Sequence, residues 1–428
     1  MKNILNSLKG DKGIWAFVSL LALFSFMPVF SASTNLAYMR HGSGNAVTYL
    51  LKHFIHLTIG FVIIYQVHKI PYNHFRFWSR FFMPLVWLML LFVMIKGTVI
   101  EGANASRWLQ IPIIGITFQP STIAALVLYL YVARYLSKTR TETPTFQSSI
   151  LELWIPVFIT LVLILPSNFS TAALIFLMVL MLVFVGHYPL KYIGIIIVSG
   201  MLFLTFFFVL VKAFPDAFPN RVDTWISRIE SFRNNKPNPD DDYQIEKAKI
   251  AIASGGIYGL GPGKSVQKNF LPQSSSDFIF AIIVEENGLI GALGVLFIYL
   301  LLMFRFVIGA RKSGTLFGKL VIVGLGFPIV FQALLNMMVA VQLIPVTGQT
   351  LPLISSGGSS IWVTCIALGI ILSVTKKDEE IAVEEVNKQK REEALQKLID
   401  QQLLQDEQSD IADYSISENP MNAVLNKK

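Results

Sequence analysis

The apolar positions of this chain gather into ten long runs. They read Ile14 to Ser31, Tyr49 to Gln66, Phe81 to Lys96, Gln119 to Tyr135, Ile150 to Leu165, Phe169 to Gly186, Tyr188 to Lys212, Asp277 to Phe304, Leu316 to Leu343 and Ser359 to Val374. A bilayer core is about 30 Å thick, so a spanning helix needs roughly 20 mostly apolar residues. Inside lipid every backbone N–H and C=O must be satisfied within its own segment, which restricts such runs to helices. The pattern predicts an all-α polytopic membrane protein, a bundle of about ten transmembrane helices.

Two polar stretches interrupt or follow the runs. The first, residues 213–276, is a large extracytoplasmic loop between helices 7 and 8. Within it Val222, Trp225, Ile226, Ile229 and Phe232 recur at helical spacing, which predicts an amphipathic helix over 221–233. An exposed loop at 234–242 and a second short helix, Tyr243 to Ser254, come next. Glycines 255, 256, 259, 261 and 263 then supply pliable turns. Residues 1–376 form the membrane domain and 377–428 a cytoplasmic tail. From Lys376 onward the tail carries thirteen acidic and eight basic residues, with a weak helix expected at Glu379 to Leu404 and disorder from Asp406.

Composition agrees, with 54% hydrophobic and 14% charged residues, outside the usual range for a soluble chain. The charges add orientation. Short loops on one side carry Lys69, Arg76, Arg80, Arg134, Lys138, Arg140, Lys191, Arg305, Arg311, Lys312 and Lys319; those on the other carry Arg40, Lys96 and Arg107. Basic short loops face the cytoplasm, so both termini are expected there. The net charge of +8 follows loop topology rather than one patch, which argues against nucleic acid as a partner. Lys2, Lys9 and Lys12 precede the first run as in a signal peptide, but the run is long for a signal core and is read as a retained helix. Cys365 is alone, so no disulfide closes within the chain, and it reads as a small buried hydrophobe. His53 and His56 share a helical face without further metal-type partners, which reads as pairing or pore lining.

Candidate chemistry concentrates at the outer ends of the runs. Gly259-Leu-Gly-Pro-Gly-Lys264-Ser265 invites comparison with a phosphate-binding P-loop, but Tyr258 stands where the first glycine belongs. A plain turn and a loop whose Lys264 or Lys268 meets a pyrophosphate both remain open. Asp277 opens the eighth run behind Ser274, Ser275 and Ser276. It reads either as an acid in a helix's first turn or as a partly desolvated carboxylate suited to take a proton from a sugar hydroxyl. Glu285 and Glu286 mark a bundle-internal face, because isolated carboxylates in a span are costly unless paired or wet. Arg107 and Trp108 lie just outside the third span, as an interfacial anchor or a phosphate contact. Pro345 to Ser360 is polar, uncharged and rich in hydroxyls, either a plain loop or one lining a cavity.

Taken together, several of these stretches resemble the SEDS family (shape, elongation, division, sporulation) of bacterial cell-wall polymerases. They are Gly259-Leu-Gly-Pro-Gly-Lys-Ser-Val-Gln-Lys268, Ser276-Asp-Phe-Ile-Phe280, Glu285-Glu-Asn-Gly288, Leu351-Pro-Leu-Ile-Ser-Ser-Gly-Gly-Ser359-Ser360, Ala105-Ser-Arg-Trp108 and Gln119-Pro-Ser121. The likeness spans the first run to the tenth, and Ser265-Val-Gln-Lys268 and Ala105-Ser-Arg-Trp108 look closer to the division branch than to the elongation branch. The resemblance implies a peptidoglycan glycosyltransferase that joins lipid II units into glycan strands and releases undecaprenyl pyrophosphate. It implies Asp277 as the catalytic carboxylate and Trp108 as a functional residue. Arg107, Lys264, Lys268 and Ser359 become substrate-binding candidates. A divalent cation, Mg or Mn, would be a further aid to the pyrophosphate; no metal ligand is assigned and no organic cofactor is implied.

The implied setting is the bacterial inner membrane at the division septum. Partners would be a class B penicillin-binding protein and, through the tail, other division proteins. Three positions depart from the family pattern. Thr122 and Ala125 replace a usual Glu and Lys, and Asn168 replaces a usual Asp, which removes a buried charge pair and a second carboxylate. A lipid II flippase and a non-catalytic scaffold are the alternatives. Asp277 at an outer end, rather than near the midplane where transporters keep their key charges, favours the enzyme.

Overall fold

A computed structural model of the chain describes residues 8–39, 46–96, 98–99, 106–110, 117–139, 145–213, 228, 239–271, 274–376, 386 and 389–403. It places a helix at each of the ten apolar runs. In chain order these are α1 (Lys12–Met39), α2 (Ala46–Val67), α3 (Asn73–Lys96), α4 (Pro120–Lys138), α5 (Phe146–Ile164), α6 (Phe169–Val185) and α7 (Leu190–Ala213). After α8 (Pro239–Gly255) follow α9 (Ile279–Lys312), α10 (Leu316–Ala340) and α11 (Ser359–Val374). Seven of them are long and apolar enough to cross a membrane; α6 and α11 are shorter, and α4, with Arg134 and Lys138, is more polar. α8 belongs to the insertion and begins before the expected Tyr243. The amphipathic stretch 221–233 falls outside the described residues except Arg228, whose Nη1 donates to Val346 O at 3.3 Å.

The bundle is built around α10, whose apolar window is 67% buried, against 17% for the peripheral α7. α10 packs on α9, α4, α11 and α6, while α1 and α11 flank α2. The outer faces stay apolar: Phe81, Leu88 and Ile95 on α3 and Met201, Leu202, Phe206 and Val209 on α7 are exposed. Patches of that kind are solvated by lipid, not by water. Cys365 is buried, as expected. His53 and His56 act separately: His53 Nε2 pairs with Ser25 Oγ at 2.7 Å, and His56 stacks on Trp362 with centroids 5.4 Å apart.

The all-α architecture carries one local addition that the runs do not predict. Between α3 and α4 the chain forms a small antiparallel meander, β1 (Thr98–Val99), β2 (Ser106–Gln110) and β3 (Thr117–Phe118), with Thr98 opposite Trp108 and Leu109 opposite Phe118. Strands this short leave no alternating signature in a sequence.

The chain separates into two units, Met1–Thr375 and Lys376–Lys428. In the second, residues 389–403 are helical and exposed, with Leu395, Leu398, Ile399 and Leu403 bare. In the first, Asp11 ties two helix ends together. Its Oδ1 accepts from Gly13 N at 2.8 Å and Ile14 N at 3.1 Å, capping α1, and from Arg305 Nη2 at 2.7 Å at the end of α9. Asp11→Ala removes cap and pair together; it should cost about 1–3 kcal/mol, read as a lower unfolding temperature.

Candidate active site

α9 decides where the site stands. At 1.5 Å per residue its length is about 51 Å, well beyond the roughly 30 Å of a bilayer core. The chain breaks it at Gly288, which takes φ 66, ψ −167, a conformation open essentially to glycine alone. The break stops Leu289 and Ile290 from donating four residues back. Their N–H groups go to Gly256 O at 2.9 Å and Ile257 O at 3.3 Å instead. The released carbonyls of Glu285 and Glu286 accept from Leu260 N and Gly261 N, both at 2.9 Å. The glycine-rich turn after α8 is thereby stitched to the helix edge. Gly259, at φ 81, sits so close that a Cβ there would collide with Glu286 O.

Glu285 and Glu286 are fully buried, and the internal face expected for them is this docked loop. Glu285 accepts from Ser265 Oγ, from Val266 N at 3.0 Å and from Gln267 N at 3.2 Å, holding the 3₁₀ turn Gln267–Asn269. Glu286 accepts from Ser31 Oγ and from Ser265 N at 3.3 Å. Hydrogen bonds of this number make the buried Glu285 carboxylate tolerable, whereas Glu286 Oε2 is buried with no hydrogen-bond partner among the described residues. Lys268 belongs to the same lock, donating through Nζ to Gly263 O at 2.7 Å and Ser31 Oγ at 3.2 Å. Lys264 is exposed on the loop.

Asp277 lies in the turn 274–278, before the helix rather than in its first turn, since α9 starts at Ile279 with Phe278 as its N-cap. No side chain caps α9. Ser276 Oγ instead donates to Asp277 Oδ1 at 2.8 Å. The last loop clamps this turn by its backbone. Ser355 Oγ donates to Ser276 O at 2.7 Å, Ser356 N to Ser275 O at 3.0 Å, and Asn336 Nδ2 of α10 to both Asp277 O and Gln349 O at 2.7 Å. Gly348 approaches the carboxylate: a Cβ built there stands 3.4 Å from Asp277 Oδ2. Half-buried Asp277 thus sits where α9, α10 and the last loop converge.

Ser359, the first residue of α11, follows that loop; its hydroxyl is buried and has no hydrogen-bond partner among the described residues. The same holds for Ser274, Thr347 and Ser121 at the start of α4. Buried orphan hydroxyls mark places where a polar ligand or water completes the bonding. Trp108 is half-buried in β2, and β3 of the same sheet packs on α11. The backbone of Arg107 lies in β2, while its side chain is outside the described residues.

Asn168, where the family pattern has an acid, is the N-cap of α6 and accepts from Thr171 N at 3.2 Å. Thr171 Oγ1 accepts from Gln349 Nε2 at 3.0 Å, so a chain of bonds runs Asn168, Thr171, Gln349, Asn336, Asp277. Thr122 Oγ1 donates to Gln119 O at 2.7 Å in the first turn of α4.

Asn336 was legible as one of two amides, with Gln332, inside an apolar run, where polar groups are costly unless bonded. Asn336→Leu leaves two carbonyls without their donor, at about 1–3 kcal/mol each. Misplacement of Asp277 should lower the activity of the site roughly tenfold, while the variant still elutes as a folded protein.

Comparison with known proteins bears out the family. A family model described as "Cell cycle protein", FtsW/RodA/SpoVE, matches residues 11–380. The probable peptidoglycan glycosyltransferase FtsW of Geobacter sulfurreducens is 32% identical over 364 residues, 83% of this chain and 92% of that one. Its namesake in Nitrosomonas europaea is 31% identical over 365 residues, 83% and 90% of the two chains. The fold is similar to Thermus thermophilus rod shape determining protein RodA, with a TM-score of 0.60 at 24% identity, covering 86% of this chain and 98% of that one. It is also similar to a chain of a peptidoglycan synthase complex that coordinates polymerization and crosslinking, with a TM-score of 0.65 at 23% identity, covering 86% and 97%. With its helices and this match along the bundle in agreement, the chain belongs to the FtsW/RodA/SpoVE family of cell cycle proteins.

Proposed function

We propose that this multi-pass membrane protein is a peptidoglycan glycosyltransferase that polymerises lipid II into glycan strands during cell division. The observation that carries the reading is Asp277, a half-buried carboxylate on a turn whose backbone is held by α10 and the last loop. Such a group meets the requirement for a positioned base. The acceptor's sugar 4-hydroxyl attacks the donor's anomeric carbon, a glycosidic bond forms, and its proton passes to Asp277. The bond from the anomeric carbon to undecaprenyl pyrophosphate breaks, and charge develops on the departing phosphate.

Lys264, exposed on its loop, and Arg107 are the cations assigned to that charge. Lys268 has a different part, holding the loop that presents Lys264. Trp108 and the Ser359 hydroxyl are assigned to the lipid-linked sugars. Among the described residues no three His, Cys, Asp or Glu side chains come together as a cation cage. Magnesium is commonly held by one or two carboxylates plus substrate phosphates, and such a cation would rest chiefly on the pyrophosphate, leaving Asp277 to take the proton. A divalent cation bound there would offset pyrophosphate charge.

The basic short loops support an orientation with both termini in the cytoplasm and Asp277 outside. A class B penicillin-binding protein is the proposed partner, by analogy with the similar synthase complex, and the division septum the proposed location. The test is polymerisation of lipid II by the purified full chain, alone and with that partner. Glycan strands are the expected product; lipid II carried across vesicles without polymer would overturn the reading in favour of a flippase.

A further inference from the structure

At the end of the bundle opposite Asp277 a cavity of about 680 Å³ opens between the end of α4, the α6–α7 turn, the end of α9 and the start of α10. Its volume lies within the roughly 300–1,000 Å³ of ligand sites. Its interior is apolar, with Leu136, Val323 and Phe327, and its polar lining includes Arg311, Lys319 and His187. Among the described residues no acidic side chain lines it. Arg311 and Lys319 are exposed, and among the described residues neither side chain makes an ion pair or hydrogen bond.

Basic residues at this end of a helix are ordinary topology signals. Here, however, they border a recess between helices rather than the outer surface. The recess is held open from behind. His187 takes φ 57, and the neighbouring Tyr188 is buried, its hydroxyl donating to Ser149 Oγ at 2.7 Å and accepting from Trp154 Nε1 at 3.3 Å. The turn that forms one wall is therefore fixed in place before anything binds.

An apolar recess demands an alkyl chain, and unpaired cations at its edge demand an anion. We propose that this cavity binds an anionic phospholipid, an acyl chain against Leu136, Val323 and Phe327 and the phosphodiester between Arg311 and Lys319. Basic pockets between transmembrane helices are known to take such headgroups. The site is separate from Asp277 and does not depend on the polymerase reading.

Native mass spectrometry of the full-length chain in detergent tests it, with phosphatidylglycerol, phosphatidylcholine and undecaprenyl pyrophosphate as probes. The wild type should retain phosphatidylglycerol and lose phosphatidylcholine. Arg311→Gln with Lys319→Gln should weaken phosphatidylglycerol retention at least about tenfold. Val323→Phe, which fills the recess without changing charge, should weaken it as well, as should Lys319→Gln alone on its exposed position if the double variant fails to fold. Asp277→Asn should retain the lipid. Equal retention by the charge variants, equal retention of phosphatidylcholine, or retention of undecaprenyl pyrophosphate alone would each overturn the assignment.

Discussion

Asp277→Asn is expected to reduce lipid II polymerisation by roughly 10²–10⁴-fold, the usual contribution of a positioned general base. The substitution keeps the size of the side chain and leaves the backbone bonds from Asn336, Ser355 and Ser356 intact, since those go to carbonyls of residues 275 to 277. Folding and binding of lipid II should therefore survive while turnover is lost. The measurement is strand formation by the purified chain beside lipid II binding in the same preparation. A variant that polymerises as fast as the wild type would show that the proton goes elsewhere. Loss of binding together with turnover would give Asp277 a binding role instead.

Gly288→Ala should have the second large effect, and on structure first. The φ 66, ψ −167 conformation is strained for any L side chain, by about 1–3 kcal/mol. A Cβ there would in addition collide with Ile257 O, a backbone atom with nowhere to yield. The expected result is loss of the four exchanged bonds joining 256, 257, 260 and 261 to the helix edge, followed by loss of polymerisation. Hydrogen exchange at Leu260, Gly261 and Leu289 reads the first effect directly. Gly263→Ala is the control: it also has positive φ, but no atom lies within 4 Å of its Cβ. If both variants exchange and polymerise alike, dihedral strain alone matters and the docking has been overrated.

The long elements were legible because hydrophobic run length is a one-dimensional signal. All ten runs contain a helix, and Asp277 stands just before the helix of its run. Its local setting was not legible. Acid followed by Phe-Ile-Phe reads equally well as a helix's first turn, and the clamp that holds it out of the helix comes from Asn336, 59 positions later, and from Ser355, 79 positions after Ser276. Glu285 and Glu286 pointed inward as expected, but their partners lie in a loop about twenty residues back, contacts that no periodicity encodes. The meander at 98–118 has strands of two, five and two residues, too short to alternate. Asn168 is instructive in the other direction. Read against a family pattern it looked like a missing acid, whereas Asn before Phe169 is also a good N-cap, and that is the work it does.

The break in α9 also separates two mechanical duties. The part beyond Gly288, residues 289–312, rises about 36 Å, enough to cross a bilayer core by itself with some tilt. Helices adjust to thinner or thicker membranes by changing tilt, and a straight α9 would sweep its outer tip sideways with every such adjustment. Segment 279–287 is instead fastened at one end to the last loop and at the other to the glycine-rich turn. Variation in bilayer thickness is then absorbed below Gly288, and the carboxylate keeps its distance from the surface loops whatever membrane surrounds the bundle.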